Sequence, residues 1–370
     1  MNILILNWKD LKHPQAGGAE VIVYELAKRM IGDGHQVTWF CRTFKGAQEI
    51  ENVEGIKFVR RGNLLTMYLL APLYYWSLAV KPDLVIDISN TVYWQTPLWA
   101  WKSKKIAYLN QLAQDVFFYE YPQLVSRMGI FLEKLQYLTY RFTNFVCYSN
   151  STREDLTRMG IPAAHIQVFP LGLDHERYCP GEKSLSPLFI CVNRLVKMKR
   201  TDFAIKAMAL VKKTHPEAKL VVVGTGYDRT RLEELRDFLK LQDQVTFADE
   251  NVWFFAKNAK DAKVKLMQQA WALIFPSVKE GWGMTVTECA ACGTPAIVTN
   301  VSGLRDSVKA NQTGIFLPIT PTILDLAKAM NRVIEQPLLR QKLSANAIRF
   351  AKELTWEKSY ANFNSILAWS

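Results

Sequence analysis

Residues 273–306 read LIFPSVKEGWGMTVTECAACGTPAIVTNVSGLRD. The order is an apolar run, a loop holding Glu280 and the glycine-flanked tripeptide at 281–283, a helical pattern containing Glu288, and a second apolar run at 295–300. Short apolar runs on either side of a helix are typical of parallel strands that are covered on both faces. The stretch therefore predicts one strand–helix–strand unit of a doubly wound α/β fold.

The same alternation extends through the rest of the chain. In the first half, the predicted strands are NILIL (2–6), QVTWFC (36–41), IKFVRR (56–61), DLVIDIS (83–89) and KIAYLN (105–110). In the second half they are LFICVN (188–193), KLVVVG (219–224), VTFAD (245–249), LIFPS (273–277), PAIVTN (295–300) and GIFLP (314–318). Helical patterns lie between them, and two more end the chain at 338–352 and 355–368.

A Pro/Gly/Ser-rich stretch, CPGEKSLSP at 179–187, separates the two halves. We therefore predict two Rossmann-like domains, at residues 1–175 and 176–353, with a final helix at 354–370 that returns towards the first domain. Open parallel sheets bind ligands at the carboxyl ends of their strands. The predicted active site is the cleft across which the two sheets face each other.

Composition narrows the function classes. The 370 residues carry a formal charge of +12, mostly in the second half, which suits an anionic ligand, but no nucleic-acid-binding motif is present. The six cysteines are scattered, and the pair Cys289 and Cys292 is interpreted as buried small side chains rather than a redox or metal site. The apolar stretch at 64–80 is too short to span a membrane and contains Pro72, so we expect a buried helix. No leader peptide is recognised, and a cytoplasmic location is expected.

The loop before the helix at 284 has the chemistry of a sugar-phosphate site. Gly281 and Gly283 flank Trp282 and allow backbone amides to come close to a ligand, and a helix starting near Gly283 directs free N–H groups, those of Met284 and Thr285, towards a phosphate. Carboxylates such as Glu280 and Glu288 accept hydrogen bonds from sugar hydroxyls. The alternative is that these are a surface carboxylate and a helix cap.

Cations and glycines in other loops point to the same ligand. Arg194 and Lys199 follow a predicted strand and can neutralise a diphosphate leaving group, although a solvated basic loop is the plain alternative. Gly224 and Gly226 form a second loop that can face the nucleotide, or a simple turn. In the first half, Gly17 and Gly18 precede a helix and form an anion-friendly loop, or a generic helix start.

These motifs resemble glycosyltransferase family 4, the retaining GT-B enzymes of glycosyl transferases group 1. Glu280 and Glu288 match the two ends of the family's E-x7-E signature, and Arg194 and Lys199 match its G-R-L-x-x-x-K-G stretch. The resemblance implies that Glu280 faces the donor sugar, Glu288 the ribose, and the two cations the diphosphate. It also implies that the loop at 17–20 faces the reaction centre.

The chain departs from the family in two places. Asn193 and Arg200 replace the two glycines of the basic stretch, and Asn110 stands where many relatives have a histidine close to the donor sugar. Asparagine can hydrogen-bond a sugar hydroxyl but does not titrate, and His13 is the nearest histidine in the first domain. No D-x-D signature for a metal-bound diphosphate is present, so no metal ligands are assigned and metal-independent transfer is expected.

The resemblance implies a retaining hexosyltransferase that uses a nucleotide-diphosphate sugar as co-substrate, without a further cofactor. The acceptor is left open as a glycan, a lipid-linked sugar or a small molecule, in polysaccharide or cell-envelope synthesis. Front-face attack assisted by the leaving diphosphate is our hypothesis, because no carboxylate nucleophile is identifiable. An epimerase or phosphorylase of the same architecture, and a non-catalytic sugar-nucleotide-binding protein, are the alternatives.

The segment at 116–148 is rich in aromatic and basic residues, with Arg127, Lys134 and Arg141 among apolar side chains. We favour a helix from about residue 124 that packs its apolar side chains against the first sheet. The alternative is a shallow contact with an anionic membrane that gives access to a lipid-linked acceptor.

Overall fold

The computed structural model describes residues 1–248 and 257–369. Residues 249 and 370, which belong to two of the predicted segments, lie outside the described part. The chain forms two compact units. The first contains Met1–Gln114, Leu124–Gly172 and the chain from Trp356 onward, and the second contains Asp115–Gln123 and Leu173–Thr355.

The first unit is built on a sheet of eight described strands. They are β1 (Asn2–Leu6), β2 (Gln36–Cys41), β3 (Ile50–Val53), β4 (Ile56–Arg60), β5 (Leu84–Ser89), β6 (Lys104–Leu109), β7 (Asn144–Cys147) and β8 (Ile166–Val168). Their spatial order is β3-β4-β2-β1-β5-β6-β7-β8, and only the β3–β4 pair is antiparallel. The helices of the first part of the chain are α1 (Gly18–Gly32), α2 (Met67–Ser77), α3 (Val116–Glu120), α4 (Gln123–Gln136) and α5 (Asn150–Arg158). Three of these strands, β3, β7 and β8, are not predicted from the sequence, and each has only three or four residues.

One face of this sheet carries both α2 and the turn that follows α4. Leu4 pairs with Val85, and Val85 pairs with Lys105, two residues before Ala107, so Leu4, Val85 and Ala107 point to the same side. Leu4 and Val85 pack with α2, and Ala107 packs with Tyr137 and Tyr140, just beyond α4. Helix α2 and the turn after α4 therefore cover the same face of the sheet.

The second unit is also a doubly wound domain, with six described strands. Its described strands are β9 (Leu188–Val192), β10 (Lys219–Val223), β11 (Val245–Phe247), β12 (Ala272–Phe275), β13 (Ala296–Thr299) and β14 (Gly314–Leu317). They are all parallel, in the order β11-β10-β9-β12-β13-β14. The helices are α6 (Thr201–Val211), α7 (Arg229–Phe238), α8 (Lys257–Gln269), α9 (Met284–Ala291), α10 (Leu304–Ser307), α11 (Ile323–Glu335) and α12 (Pro337–Lys352), and α13 (Trp356–Trp369) then joins the first unit.

Two expectations about apolar segments were wrong. The stretch at 64–80 forms α2, but only one stripe of this helix is buried, and Leu65, Leu69 and Leu73 are exposed. A helix lying on one layer of sheet can bury only the stripe that faces it. Helix α4 does not turn its apolar side chains to the sheet either: its buried residues are Ser126 and Glu133. Among the described residues, no helix is both long and apolar enough to cross a bilayer.

Candidate active site

Two loops of the second unit come together at the carboxyl ends of the adjacent strands β9 and β12. The first loop contains a short 3-10 helix, Lys197–Lys199, and the second runs from β12 to α9. The amide of Val278 donates a hydrogen bond of 3.0 Å to the carbonyl of Met198, which joins the two loops directly. The predicted residues Lys199 and Glu280 therefore lie at one site.

Lys199 and Glu280 form a buried ion pair. The Nζ of Lys199 donates a hydrogen bond to Oε1 of Glu280, and each side chain is only 10% exposed. Burial is the main cause that lowers the pKa of Lys199, the charge of Arg194 lowers it further, and Glu280 opposes the shift. The Lys199 ammonium also lies 5.4 Å from the ring centre of Phe275. The site thus holds a desolvated cation that donates a hydrogen bond to the Glu280 carboxylate.

Helix α9 begins shortly after Glu280 in the same loop. Gly283 is its N-terminal cap and has a φ of +89°, a conformation that glycine adopts without a steric penalty. A Cβ atom at Gly283 would also lie 2.9 Å from Leu304. The first amides of any helix, here those of Met284 and Thr285, have no partner within the helix and form an anion-binding end. Trp282 is buried between Gly281 and this helix start.

Glu288 lies in α9 and is also ion-paired. Its Oε2 atom is 3.0 Å from the Nζ of Lys263 on α8, and both side chains are mostly buried. The carboxylate also contacts Tyr178: burial first, and then the charge and hydrogen bond of Glu288, raise the pKa of the tyrosine hydroxyl. Neither Lys263 nor Tyr178 is predicted from the sequence, because neither belongs to a motif. Glu288 therefore has a structural partner beside the role predicted for it.

The other loop residues occupy different surroundings. Arg194 follows β9 and is exposed, whereas Gly224 and Gly226 are glycines for reasons of packing. A Cβ atom at Gly224 would lie 1.9 Å from the carbonyl oxygen of Asn193, and one at Gly226 would lie 2.2 Å from that of Leu195. The close approach places the glycine loop against the loop that carries Arg194.

Several buried polar atoms border these loops without a hydrogen-bond partner in the described part of the chain. They are Nδ2 of Asn193, Oγ of Ser277, Nε1 of Trp282 and Oγ of Ser302. Buried polar groups in folded proteins nearly always find a partner, from protein, water or ligand. The loops at the carboxyl edge of this sheet therefore have hydrogen-bonding capacity left for a polar ligand.

Helix α3 stabilises the basic loop, a role that its sequence does not predict. Glu120 of α3 accepts hydrogen bonds from the Met198 amide, at 2.8 Å, and from the Tyr227 hydroxyl. Arg200 has a φ of +51°, where the family pattern has glycine, and its guanidinium donates to the Tyr119 hydroxyl at 2.5 Å. A non-glycine residue in this region is strained, so these contacts hold Arg200 in place.

In the first unit, the Gly17–Gly18 loop starts α1. Glu20, the third residue of the helix, accepts a hydrogen bond of 2.7 Å from the Gly17 amide, and this contact fixes the helix start. His13 is buried against Phe44, and burial together with the charges of Arg42 and Lys9 lowers its pKa to about 4. His13 is therefore neutral at pH 7.

Asn110 belongs to a row of polar residues at the carboxyl edge of the first sheet. Asn7, Asn90, Asn110 and Tyr148 follow β1, β5, β6 and β7, which are adjacent strands. Tyr148 donates to Oδ1 of Asn110 at 2.5 Å, Nδ2 of Asn110 donates to the Ser89 carbonyl at 3.0 Å, and Asn90 donates to Asn7 at 2.6 Å. The Asn110 amide is thus held by its neighbours and keeps part of its hydrogen-bonding capacity.

Cys289 and Cys292 are small buried side chains, as predicted from the sequence, and both are free thiols. Burial is the main cause that raises the pKa of each. Within residues 1–248 and 257–369, no three His, Cys, Asp or Glu side chains are grouped so that they could hold a metal ion.

Comparison with known proteins places these features in a family. The family model for glycosyl transferases group 1 matches residues 180–350, and the model for glycosyltransferase family 4 matches residues 16–177. The chain is 29% identical over 229 residues to the D-inositol 3-phosphate glycosyltransferase of Rhodococcus jostii, a match that covers 56% of this chain. It spans 49%, about half, of the length of that relative.

Solved structures agree on the fold. The sucrose-phosphate synthase of Thermosynechococcus elongatus superposes with a TM-score of 0.79 at 20% identity, over 99% of this chain and 98% of that one. HepE of Anabaena, solved in complex with UDP-glucose, superposes with a TM-score of 0.74 at 17% identity over the full length of both chains. The two α/β units have the GT-B architecture, and the chain belongs to the glycosyltransferases of group 1, family 4.

Proposed function

We propose that this glycosyltransferase transfers a hexosyl group from a nucleoside-diphosphate sugar, with retention of anomeric configuration and without a divalent metal ion. The observation that carries the proposal is the buried Lys199–Glu280 pair, which lies directly before the N-terminus of α9. A desolvated cation next to free helix amides suits an anionic diphosphate. The complex of HepE with UDP-glucose, a protein of the same fold, supports this class of donor.

In this proposal the basic loop stabilises the leaving group. Negative charge grows on the diphosphate as the bond to the sugar breaks, and Lys199, Arg194 and the amides of Met284 and Thr285 neutralise it. Glu280 orients Lys199 and accepts hydrogen bonds from sugar hydroxyls. Glu288 accepts a hydrogen bond from the ribose while it remains paired with Lys263. These cations and amides replace the metal ion that other enzymes place on a diphosphate.

Retention is explained here by front-face attack. Both carboxylates of the site are already engaged, Glu280 with Lys199 and Glu288 with Lys263, which makes either a poor covalent nucleophile. The leaving diphosphate then accepts the proton of the acceptor hydroxyl on the same face of the sugar. The acceptor belongs to a glycan, a lipid-linked sugar or a small molecule, and the name of the Rhodococcus relative is an example of the last class.

The test is a screen of UDP-, GDP-, ADP- and dTDP-glucose by thermal shift, followed by analysis of the sugar product. We expect one donor class to raise the melting temperature and to be slowly hydrolysed without acceptor, with the α-anomer as the first product in proton NMR. Release of an epimerised sugar would favour an epimerase, and binding without turnover a non-catalytic protein. A phosphorylase would show pyridoxal-phosphate absorbance in the purified protein.

A further inference from the structure

Helix α4 is amphipathic with its apolar side outward. Leu124, Met128, Phe131 and Leu135 recur at three- and four-residue intervals, the spacing of one helix face, and all four are exposed. The opposite face is polar yet buried: Glu133 accepts hydrogen bonds from the amides of Ala113 and Gln114. A surface helix normally buries its apolar stripe, so the outward stripe indicates contact with an apolar partner.

Helix α2 exposes a second apolar stripe. Leu65, Leu69, Leu73 and Trp76 are spaced by three or four residues, and Leu69 is 72% exposed. The other side of the helix packs on the sheet through Ala71 and Tyr75. Leu65 lies in the turn just before α2 and the other three in the helix, so these exposed apolar residues form a row, unlike isolated surface leucines, which need no explanation.

The loop after β5 contacts both helices. The Tyr68 hydroxyl of α2 donates to the Val92 carbonyl at 3.3 Å, and Gln136 at the end of α4 donates to the Thr91 carbonyl at 3.0 Å. Leu98 and Trp101, farther along the connection to β6, are also exposed. We call the exposed stripes of α2 and α4, with this connection, the apolar face.

The charges on the apolar face are of one sign. Residues 62–81, 91–102 and 122–143 contain a single acidic residue, the buried Glu133. Arg127, Lys134 and Arg141 are exposed beside the α4 stripe. Two copies of this face would bring like charges together, which is unfavourable, whereas an anionic lipid surface supplies both the apolar interior and the opposite charge.

We propose that the apolar face is a docking surface for an anionic lipid bilayer, formed jointly by α2 and α4, which lie in the headgroup region. The membrane contact considered from the sequence involved α4 alone. A lipid-linked acceptor would be reached from such a surface, and this expectation, unlike the membrane contact itself, rests on the proposed function. Each basic side chain near an anionic membrane strengthens binding about five-fold.

The test is co-sedimentation of the full chain with vesicles of phosphatidylglycerol and phosphatidylcholine in equal parts, against pure phosphatidylcholine. We expect binding to the anionic vesicles at ~0.1 M salt that weakens at ~1 M, where the Debye length falls to about 3 Å. Two substitution pairs, Phe131→Glu with Leu135→Glu and Leu69→Glu with Leu73→Glu, should each weaken binding at least about tenfold, because each removes two inserted side chains. Replacement of Arg127, Lys134 and Arg141 by glutamine should weaken it on the order of a hundredfold.

The matched control is Phe238→Glu with Leu338→Glu, two residues of the second unit that are 83% and 80% exposed. It should bind vesicles as the wild type does. Wild-type protein left in the supernatant at low salt, or a loss restricted to the α4 pair, would overturn the joint surface. A dimer in sedimentation equilibrium that the same two pairs of glutamate substitutions dissociate would also overturn it. Thermal shifts with nucleotide sugars separate the two proposals: vesicle binding without any donor response would count against the transferase proposal alone.

Discussion

The Nζ atom of Lys199 donates a hydrogen bond to Glu280 across the two loops that follow β9 and β12, and the pair is almost fully buried. Breaking a buried pair by removing one partner leaves the other charge without compensation. The pair therefore both joins the two loops and balances two buried charges. A substitution of either residue can change folding as well as activity, so both must be measured.

Lys199→Met should lower kcat with saturating donor about 10²- to 10³-fold, because a preorganised cation on the leaving group contributes roughly 3–4 kcal/mol to transition-state stabilisation. Methionine keeps most of the volume beside Phe275. The control is Lys206→Met, which removes a half-exposed pair with Asp202 and a contact with the Phe203 ring. A kcat of Lys199→Met equal to that of the control would reduce the basic loop to a structural role.

Glu288→Ala should weaken donor binding by about 0.5–1.5 kcal/mol, the usual value of one lost hydrogen bond, and should lower kcat less than Lys199→Met does. It also removes the ion pair between Glu288 and Lys263, so the double variant Glu288→Gln with Lys263→Met separates binding from stability. Calorimetric titration of the donor gives the dissociation constants. Equal affinity in folded wild type and Glu288→Ala would exclude Glu288 from the ribose site.

EDTA should leave transferase activity largely unchanged, since in the proposed mechanism two cations and the helix amides take the place of a divalent ion on the diphosphate. The measurement compares initial rates in EDTA, in added magnesium and in added manganese. Activity that EDTA abolishes and either ion restores would contradict metal-independent transfer.

His13 should make unfolding depend on pH in the acid range. The folded state holds the imidazole neutral down to a pKa of about 4, whereas the unfolded chain binds a proton near the ordinary value of 6.5. Stability is therefore lost as pH falls from 6.5 to 4, by about 3 kcal/mol in all. Urea unfolding at pH 7 and near pH 4.5 should show a smaller difference for His13→Gln than for the wild type. His35→Gln is the control, and identical losses in all three proteins would show that His13 is not held neutral.

Much of the fold follows from the sequence because the strands of parallel sheets are short apolar runs. The predicted strands 2–6 and 36–41 match β1 and β2 residue for residue. The orientation of α4 could not be predicted in this way. Periodicity identifies an apolar stripe but not the side that faces the protein, and here Glu133 is turned inward by the amides of Ala113 and Gln114, which lie earlier in the chain.

In the candidate site too, some residues can be predicted from sequence patterns and others depend on packing. Lys199 and Glu280 are found from motif spacing, because the ends of adjacent parallel strands meet at one edge of a sheet. Glu120 and Lys263 could not be found, since their contacts depend on how helices pack rather than on any local pattern.

The most direct test is titration of the wild type, Lys199→Met and Glu280→Gln with the nucleotide sugar that gives the largest thermal shift. If the donor diphosphate and sugar bind at this pair, both variants should lose affinity, while Lys206→Met retains it. Calorimetry measures the three dissociation constants against the wild type, with circular dichroism to confirm folding. Folded variants that bind the donor as tightly as the wild type would contradict a donor site built on Lys199 and Glu280.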